Sequence, residues 1–162
     1  MNNKSSEVGE KMSCCPIKCP CGTQTLDADC GVTLSVSASE YVARVCSQVT
    51  FTVVLTNNSE ETLQNAVLVC PCHGALALLP NTVTVNGNSI ENATPECIPL
   101  GEVGPNTSVT ITYTCVVMQC QRYISTQACA KFCICCCLNK KSFIVKSEPH
   151  TLQVCCCCQG NN

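Results

Sequence analysis

Cysteine is the residue type in this sequence with the widest chemistry, because its thiolate acts as a nucleophile, a metal ligand or a disulfide partner. The chain contains 20 cysteines among 162 residues. A cysteine content this high is typical of domains whose durability depends on disulfides. Three clusters hold the majority of them: Cys14, Cys15, Cys19 and Cys21; Cys133, Cys135, Cys136 and Cys137; and Cys155, Cys156, Cys157 and Cys158.

Neighbouring cysteines in these clusters need partners elsewhere. A bond between adjacent residues strains the peptide that joins them, so vicinal pairs are rare. On an extended strand, Cys155 and Cys157 face one way while Cys156 and Cys158 face the other, so one strand reaches two surfaces. We therefore predict that the cysteines of all three clusters form disulfides between copies of the chain.

The isolated cysteines between the clusters have a different interpretation. A single cysteine within a strand-forming sequence behaves as a small buried hydrophobe or as a staple inside its own domain. We predict one of these two environments for Cys46, Cys70, Cys97, Cys115 and Cys120.

Metal binding is the main alternative use of so many thiols, since thiolates form good Zn²⁺ sites. Structural zinc sites usually pair two Cys-x-x-Cys motifs across a loop, whereas here that spacing occurs only inside clusters, at Cys133/Cys136 and Cys155/Cys158. Small metal-sequestering proteins also fold around the metal, while this chain has strand patterns of its own. We expect no metal site and no cofactor, and a thiolate protein that stores or sequesters zinc is the alternative function.

Catalysis has little support in the sequence, which contains two histidines, His73 and His150. Cys72 and His73 are adjacent, so on a strand their side chains point to opposite faces and cannot form a nucleophile–base pair. The sequence has neither a phosphate-binding glycine loop nor an HExxH motif. We expect a protein that is not an enzyme; a redox enzyme is the third class, and it would need one cysteine with a lowered pKa.

Short strands separated by turns make up the middle of the chain. Residues 49–56 alternate between apolar and mostly threonine positions, and residues 109–117 form the strongest alternation in the sequence. Asn86-Gly87 supplies the positive φ that a hairpin turn needs. These signals predict an all-β fold, an antiparallel immunoglobulin-like or jelly-roll-like β-sandwich.

Three regions follow one another along the chain. Residues 1–30 are predicted to form an extended, Cys-rich connector arm, because Pro16, Pro20 and Gly22 interrupt regular structure there. Residues 31–158 are predicted to form the sandwich with a Cys-rich C-terminal strand, and residues 159–162 a short tail.

The charge distribution limits the partners. The formal net charge is -2, and no Lys or Arg occurs between Arg44 and Arg122. A surface so poor in cations cannot neutralise phosphates, so we expect no nucleic-acid partner. We also expect no membrane partner, because no stretch approaches the length of a membrane span.

The cellular location has to reconcile many cysteines with an N-terminus that lacks an apolar run of signal-peptide length. Disulfides need oxidising surroundings. One explanation is synthesis in the cytoplasm without a signal peptide, followed by oxidation after the cell lyses, as happens to mother-cell products of sporulating bacteria. The others are that the thiols stay reduced and bind metal, or that a signal has been removed. Under the explanation of cytoplasmic synthesis and later oxidation, the protein functions on the spore or cell surface.

The middle of the chain, from residue 32 to about 132, resembles the conserved-repeat domain of bacterial surface proteins, an immunoglobulin-like sandwich. Ser125 to Cys129 depart from the pattern, since such domains tend to have Asn-Thr-Ala there. Such domains are usually modules of long cell-surface proteins, so the resemblance implies scaffolding rather than catalysis. Four segments carry the resemblance, and they occur in the same order as in such domains. They are residues 51–58, 63–69, 79–87 and 100–111.

The N-terminus is similar to the connector of endospore appendage subunits, in which a double cysteine and a later single cysteine cross-link stacked protomers. Here Cys14-Cys15 and Cys19 match that pattern, while Met12-Ser13 replaces the usual aliphatic residue. Cysteine-rich spore coat proteins are a second, looser resemblance. These resemblances imply a subunit that self-assembles into a disulfide-cross-linked extracellular fibre, appendage-like or pilus-like, or into a spore coat layer. Copies of itself would be its partners, with a spore-surface anchor protein as another.

The arm gives a direct test of this interpretation. Residues 1–30 are too poor in apolar side chains to fold alone, so we expect Cys14, Cys15 or Cys19 to bond a cysteine of another copy. Deletion of residues 1–22 should leave a soluble, folded monomer, measured by size-exclusion chromatography and circular dichroism. Normal fibres from the truncated chain would show that the arm is not the connector.

Overall fold

The structure of the chain is a computed structural model, and it describes residues 31–70, 74–94, 96–136 and 139–156. The structure describes residues 136, 139 and 140 by their backbone alone. The predicted arm and tail lie outside the described residues, together with seven of the clustered cysteines: Cys14, Cys15, Cys19, Cys21, Cys137, Cys157 and Cys158.

The described part of the chain contains thirteen strands. Their bounds are β1 (Val32–Ala38), β2 (Val42–Arg44), β3 (Gln48–Asn57), β4 (Leu63–Val69), β5 (Leu76–Leu78), β6 (Thr84–Val85), β7 (Asn88–Ser89), β8 (Ile98–Val103), β9 (Thr107–Val117), β10 (Tyr123–Thr126), β11 (Cys129–Cys136), β12 (Asn139–Lys146) and β13 (His150–Cys155). The predicted Asn86-Gly87 turn joins β6 to β7, with φ angles of 49° and 79°.

These strands form three hydrogen-bonded sheets. The first has the order β1-β3-β9-β6-β7, with β5 also paired to β9. The second has the order β12-β11-β4-β8, and the third has the order β10-β13-β2. Strand β10 leads into β11, and β12 leads into β13. The paired strands β10 and β13 of the third sheet therefore extend the paired strands β11 and β12 of the second sheet at one end.

The topology is that of an immunoglobulin-like sandwich. In the usual lettering, β1, β3, β9 and β6 take the places of strands A, B, E and D, while β4 takes that of C. The β10–β11 and β12–β13 pairs take the places of F and G. The predicted all-β, antiparallel sandwich is confirmed, with one parallel addition, the pairing of β2 with β13 that sets Val42 opposite Gln153.

The core lies between the first two sheets, where alternating residues of β3 and β9 meet those of β4 and β11. Phe51, Val53 and Leu55 are fully buried, as the alternation in residues 49–56 predicts. The Phe51 ring stacks on Tyr113 with centroids 5.5 Å apart. In the second sheet, Phe132 stacks on Phe143 at 5.7 Å. These two pairs supply the large anchors of a core that is otherwise aliphatic.

The sandwich has two chemically different ends. At the end where residue 31 enters, which we call the arm end, lie Gly31, Asn57, Leu63, Thr107 and Cys136, as the strand registers require. At the opposite end, which we call the distal end, lie Cys46, Val117, Tyr123 and Cys155.

Asn57 holds two loops together at the arm end. Its side chain is fully buried. Its Nδ2 donates to the carbonyl oxygens of Glu61 at 2.8 Å, Gly104 at 2.9 Å and Val103 at 3.3 Å. Its Oδ1 accepts from the N–H and the hydroxyl of Ser59 at 3.1 and 2.7 Å. One side chain therefore joins the β3–β4 loop to the β8–β9 loop, and a buried amide is tolerated because its hydrogen bonds are satisfied.

Substitution of Asn57 tests this role. Asn57→Ala should lower the free energy of unfolding by about 2 kcal/mol or more, because one buried and two part-buried carbonyls lose their donor. The exposed neighbour provides a matched control, and Asn58→Ala should change stability by less than about 0.5 kcal/mol. Urea unfolding of both variants under reducing conditions measures the difference. Equal stability of the two variants would contradict the role assigned to Asn57.

Candidate functional site

The described cysteines of the second and third clusters lie at opposite ends of the sandwich. Cys133 and Cys135 lie near the arm end, on β11, where Cys133 is opposite Gln64 of β4. Cys155 and Cys156 lie at the distal end, where β13 finishes. A strand rises about 3.3 Å per residue, so the run from Tyr123 to Cys135 puts the two ends roughly 40 Å apart. Cysteines at the two ends cannot bond each other within one copy of the described domain.

A disulfide joins Cys120 to Cys156 at the distal end, with a Cα–Cα distance of 5.4 Å across a sequence separation of 36. That distance is in the range of native disulfides. For Cys120, an intradomain bond is one of the two predicted environments. For Cys156, the pairing departs from the predicted bond between copies. The reason lies in the backbone, because β10 pairs with β13 and the Val154 N–H donates to the Arg122 carbonyl at 3.0 Å, which brings residues 120 and 156 together.

Two of the described cysteines are exposed thiols at the same end. Cys155 is exposed and outside any disulfide, at the register position opposite Arg44 of β2. Cys46 is also exposed and outside any disulfide, which departs from the two environments predicted for it. Its φ of 68° is rare for a side chain other than glycine and places it in the tight turn between β2 and β3. That turn directs Cys46 outward, while its N–H donates to the Val117 carbonyl at 2.8 Å.

Exposed apolar side chains surround these cysteines. Across the third sheet, Val42, Gln153 and Tyr123 lie in one row. The Arg122 guanidinium lies 5.3 Å from the centroid of the Tyr123 ring, within cation–π range. All the exposed large apolar residues of the described chain belong to this end, and we call them the distal patch. They are Tyr41, Val42, Val45, Met118 and Tyr123. Exposed apolar groups concentrated in one region mark an interaction surface.

Among the described cysteine side chains, one exposed thiol lies at the arm end. Cys135 is exposed, outside any disulfide, and donates its S–H to Oε1 of Gln64 at 3.1 Å. Cys133, by contrast, is fully buried and disulfide-bonded, unlike the surface position that a bond between copies requires. The register shift between β11 and β4 places its extra residue in β4, between Gln64 and Val67. Strand β11 itself alternates regularly, since Phe132 and Ile134 belong to the core while Cys133 lies opposite Ser142 of β12, with Sγ 3.7 Å from the Ser142 hydroxyl. For Cys136 the structure gives only the backbone position, opposite Asn139.

The remaining described cysteines belong to the interior. Cys70, Cys97 and Cys115 are buried, which is one of the two environments predicted for them. Cys129 was not singled out by the sequence and is half-buried. Burial raises the pKa of the Cys129 thiol, while the nearby cations Lys131 and Lys146 oppose that shift.

Among the described residues, no group of three or more His, Cys, Asp or Glu side chains is arranged to hold a metal ion. In the same part of the chain, no helix has the length and hydrophobicity needed to cross a bilayer.

No protein family and no curated protein matches this chain. Several solved structures share its fold. BslA, described as a bacterial hydrophobin, aligns with a TM-score of 0.57 at 11% identity over 78% of this chain and 96% of BslA. The major pilin SpaD of Corynebacterium diphtheriae aligns with a TM-score of 0.57 at 10% identity over 75% of this chain and 34% of the pilin. AvmM, described as catalysing macrocyclization in alchivemycin A biosynthesis, aligns with a TM-score of 0.52 at 10% identity over 87% of this chain and 94% of AvmM. At such identities the likeness concerns the fold alone.

The Cys120–Cys156 bond makes a stability prediction. In the monomer without reductant, Cys120→Ser should lower the free energy of unfolding by about 2–4 kcal/mol, because the disulfide constrains the unfolded chain. Cys155→Ser is the matched control next to the bond and should change stability by less than about 0.5 kcal/mol. Guanidinium unfolding measures both variants. A large loss in Cys155→Ser with none in Cys120→Ser would show that the pairing at this end is different.

Proposed function

We propose that this protein is a non-enzymatic structural subunit that assembles with copies of itself into a fibre or layer on the spore or cell surface, locked by disulfides between copies. The observation that carries the proposal is the position of exposed thiols at both ends of a rigid sandwich. Cys135 lies at the arm end, and Cys46 and Cys155 lie at the distal end. A link between different ends of successive copies is heterologous, and such links form an open filament when their rotation does not close.

The predicted arm fits the same arrangement. Gly31 lies twelve positions after Cys19, and an extended chain over that interval reaches roughly 40 Å at about 3.3–3.6 Å per residue. The arm joins the sandwich at the arm end, so its cysteines are within reach of the next copy. The similarity of Cys14, Cys15 and Cys19 to the connector of endospore appendage subunits favours an appendage or spore coat component over other surface polymers.

The fold is compatible with this role. Two of the structural neighbours are described as a bacterial hydrophobin and a major pilin. Their likeness to this chain is one of fold, so it supports the proposal only in that such sandwiches occur in proteins with those descriptions. The concentration of apolar side chains in the distal patch supports it independently, because it gives one end of the domain a surface suited to contact with another copy.

A non-enzymatic role is also favoured by the histidine that the structure describes. Nε2 of His150 is buried without a hydrogen-bond partner, and its ring lies 6.2 Å from that of Tyr41. A general base must lie within hydrogen-bond reach of the proton that it takes. The proposal therefore assigns the chain a structural role with no cofactor, and no nucleic acid or membrane as partner.

Gel electrophoresis of native material tests the proposed function. Material is collected after the cells have released it, and its remaining thiols are alkylated before it is dissolved. Non-reducing gels should then show polymers that reductant converts to a single monomer band. Electron microscopy of the same material should show fibres or layers. A soluble monomer that carries zinc by elemental analysis would contradict the proposal and favour the metal-storage alternative.

Two variants refine this test. Cys135→Ser should reduce the yield of cross-linked polymer, because it removes the exposed thiol of the arm end. Cys129→Ser, on the same strand but half-buried, should leave the yield unchanged, because burial raises the pKa of Cys129 and disfavours its thiolate. Equal yields from the two variants would exclude Cys135 as a cross-linking residue.

A further inference from the structure

The disulfide at the distal end is exposed to attack. Both of its residues are exposed and lie outside the sheets, since Cys120 is in the loop between β9 and β10 and Cys156 directly follows β13. Exposed disulfides are the labile ones in thiol–disulfide exchange, whereas buried ones resist reduction. A bond that served stability alone would be better protected inside the sandwich, where Cys70 and Cys115 lie.

We propose that Cys120–Cys156 is the acceptor of a thiol–disulfide exchange that links copies of the chain, with Cys135 of a second copy as the attacking thiol. The inference rests on the proposed function, since it takes another copy as the partner. The Cys135 thiolate attacks Sγ of Cys156, and a Cys135–Cys156 bond forms between the two copies. The Cys120–Cys156 bond breaks, and Cys120 leaves as a thiolate with the electron pair and takes up the proton that Cys135 lost. The number of disulfides stays constant, so the step needs no oxidant.

Geometry selects Cys135 as the attacking group. It is an exposed thiol outside any disulfide, and it lies at the arm end. Because the ends are roughly 40 Å apart at the rise of a β-strand, Cys135 cannot reach the disulfide of its own copy. A bond between these residues therefore always joins two copies, and it always joins an arm end to a distal end. Attack by Cys46 or Cys155 on a second copy would instead join two distal ends and produce closed dimers.

Cys120 has a cation as a near neighbour in the sequence, which suits it to be the leaving group. Arg122 follows Cys120 by two positions, and its guanidinium is held over the Tyr123 ring. A cation close to a departing thiolate stabilises it and speeds exchange. The distal patch lies at the same end of the sandwich as the bond, so a second copy docked on the patch would exclude water from that end.

The number of thiols distinguishes exchange from oxidation. Exchange consumes the thiol of Cys135 and releases that of Cys120, so the total number of thiols stays the same for each link. Oxidative coupling of Cys135 with Cys46 or Cys155 would remove two thiols for each link and would need an electron acceptor. The two routes can therefore be separated by counting thiols in the product.

The experiment uses the full chain, because the arm is the predicted connector that brings copies together. Disulfide-containing monomer is concentrated without oxygen and with a chelator, and thiols are counted with a chromogenic disulfide reagent under denaturing conditions. We expect polymer on non-reducing gels, an unchanged thiol count, a Cys135–Cys156 cross-linked peptide by mass spectrometry and a Cys120 that is newly open to alkylation. Cys156→Ser and Cys135→Ser should each lower the anaerobic yield at least tenfold, while Cys129→Ser should not.

Each other outcome overturns the proposal. Polymer that forms only with oxygen, with two thiols lost for each link, would show oxidative coupling and would leave the proposed structural function intact. Undiminished anaerobic polymer from Cys156→Ser would show that a different bond is the acceptor. Absence of polymer both with and without oxygen would contradict the exchange and the proposed function together.

Discussion

Much of the structure depends on the pairing of β3 with β9. Their residues align from Gln48–Val116 to Asn57–Thr107 without a shift in register. Because side chains alternate across a strand, this alignment sets the apolar residues of both strands on the inner face. The length of the ladder also fixes the distance between the arm end and the distal end. The same pairing that builds the core therefore separates the exposed thiols of Cys135 and Cys155 and prevents them from meeting within one copy.

The outer face of that ladder is polar but uncharged. Thr50 and Thr114 hydroxyls lie 2.9 Å apart, and Ser108 donates to Thr56 at 3.1 Å across the strand pair. Such cross-strand pairs stabilise a sheet, and hydroxyl groups satisfy one another because each both donates and accepts. This explains how the stretch between Arg44 and Arg122 presents a polar surface without any cation. A face without charge steers partners weakly, so the two ends carry the distinctive chemistry of the domain.

Period-two alternation was sufficient to predict β3 and β9, because each buries one whole face. In β4 the burial does not alternate, since Ala66, Val67 and Leu68 are buried in succession. Alternation could not predict the parallel pairing of β2 with β13, because β2 is three residues long and only Ala43 is buried in it. It also could not predict the burial of Cys133, since Cys133 alternates with the core residues Phe132 and Ile134 and therefore lies on the other face of β11. The Cys120–Cys156 bond joins residues brought together by the β10–β13 pairing, so no local pattern in the sequence contains it.

The position of that bond explains how it could exchange without loss of the fold. Cys156 follows the last residue of β13, and Cys120 precedes β10, so the disulfide lies beyond the last hydrogen-bonded pairs of both strands. Strand ends open at low free-energy cost, while core strands open only with the whole domain. Ile124, Leu152 and Val154, on the strands next to the bond, are buried in the core. Covalent chemistry is thus placed where the backbone ladder has already ended, and the core that holds the two ends apart does not depend on it.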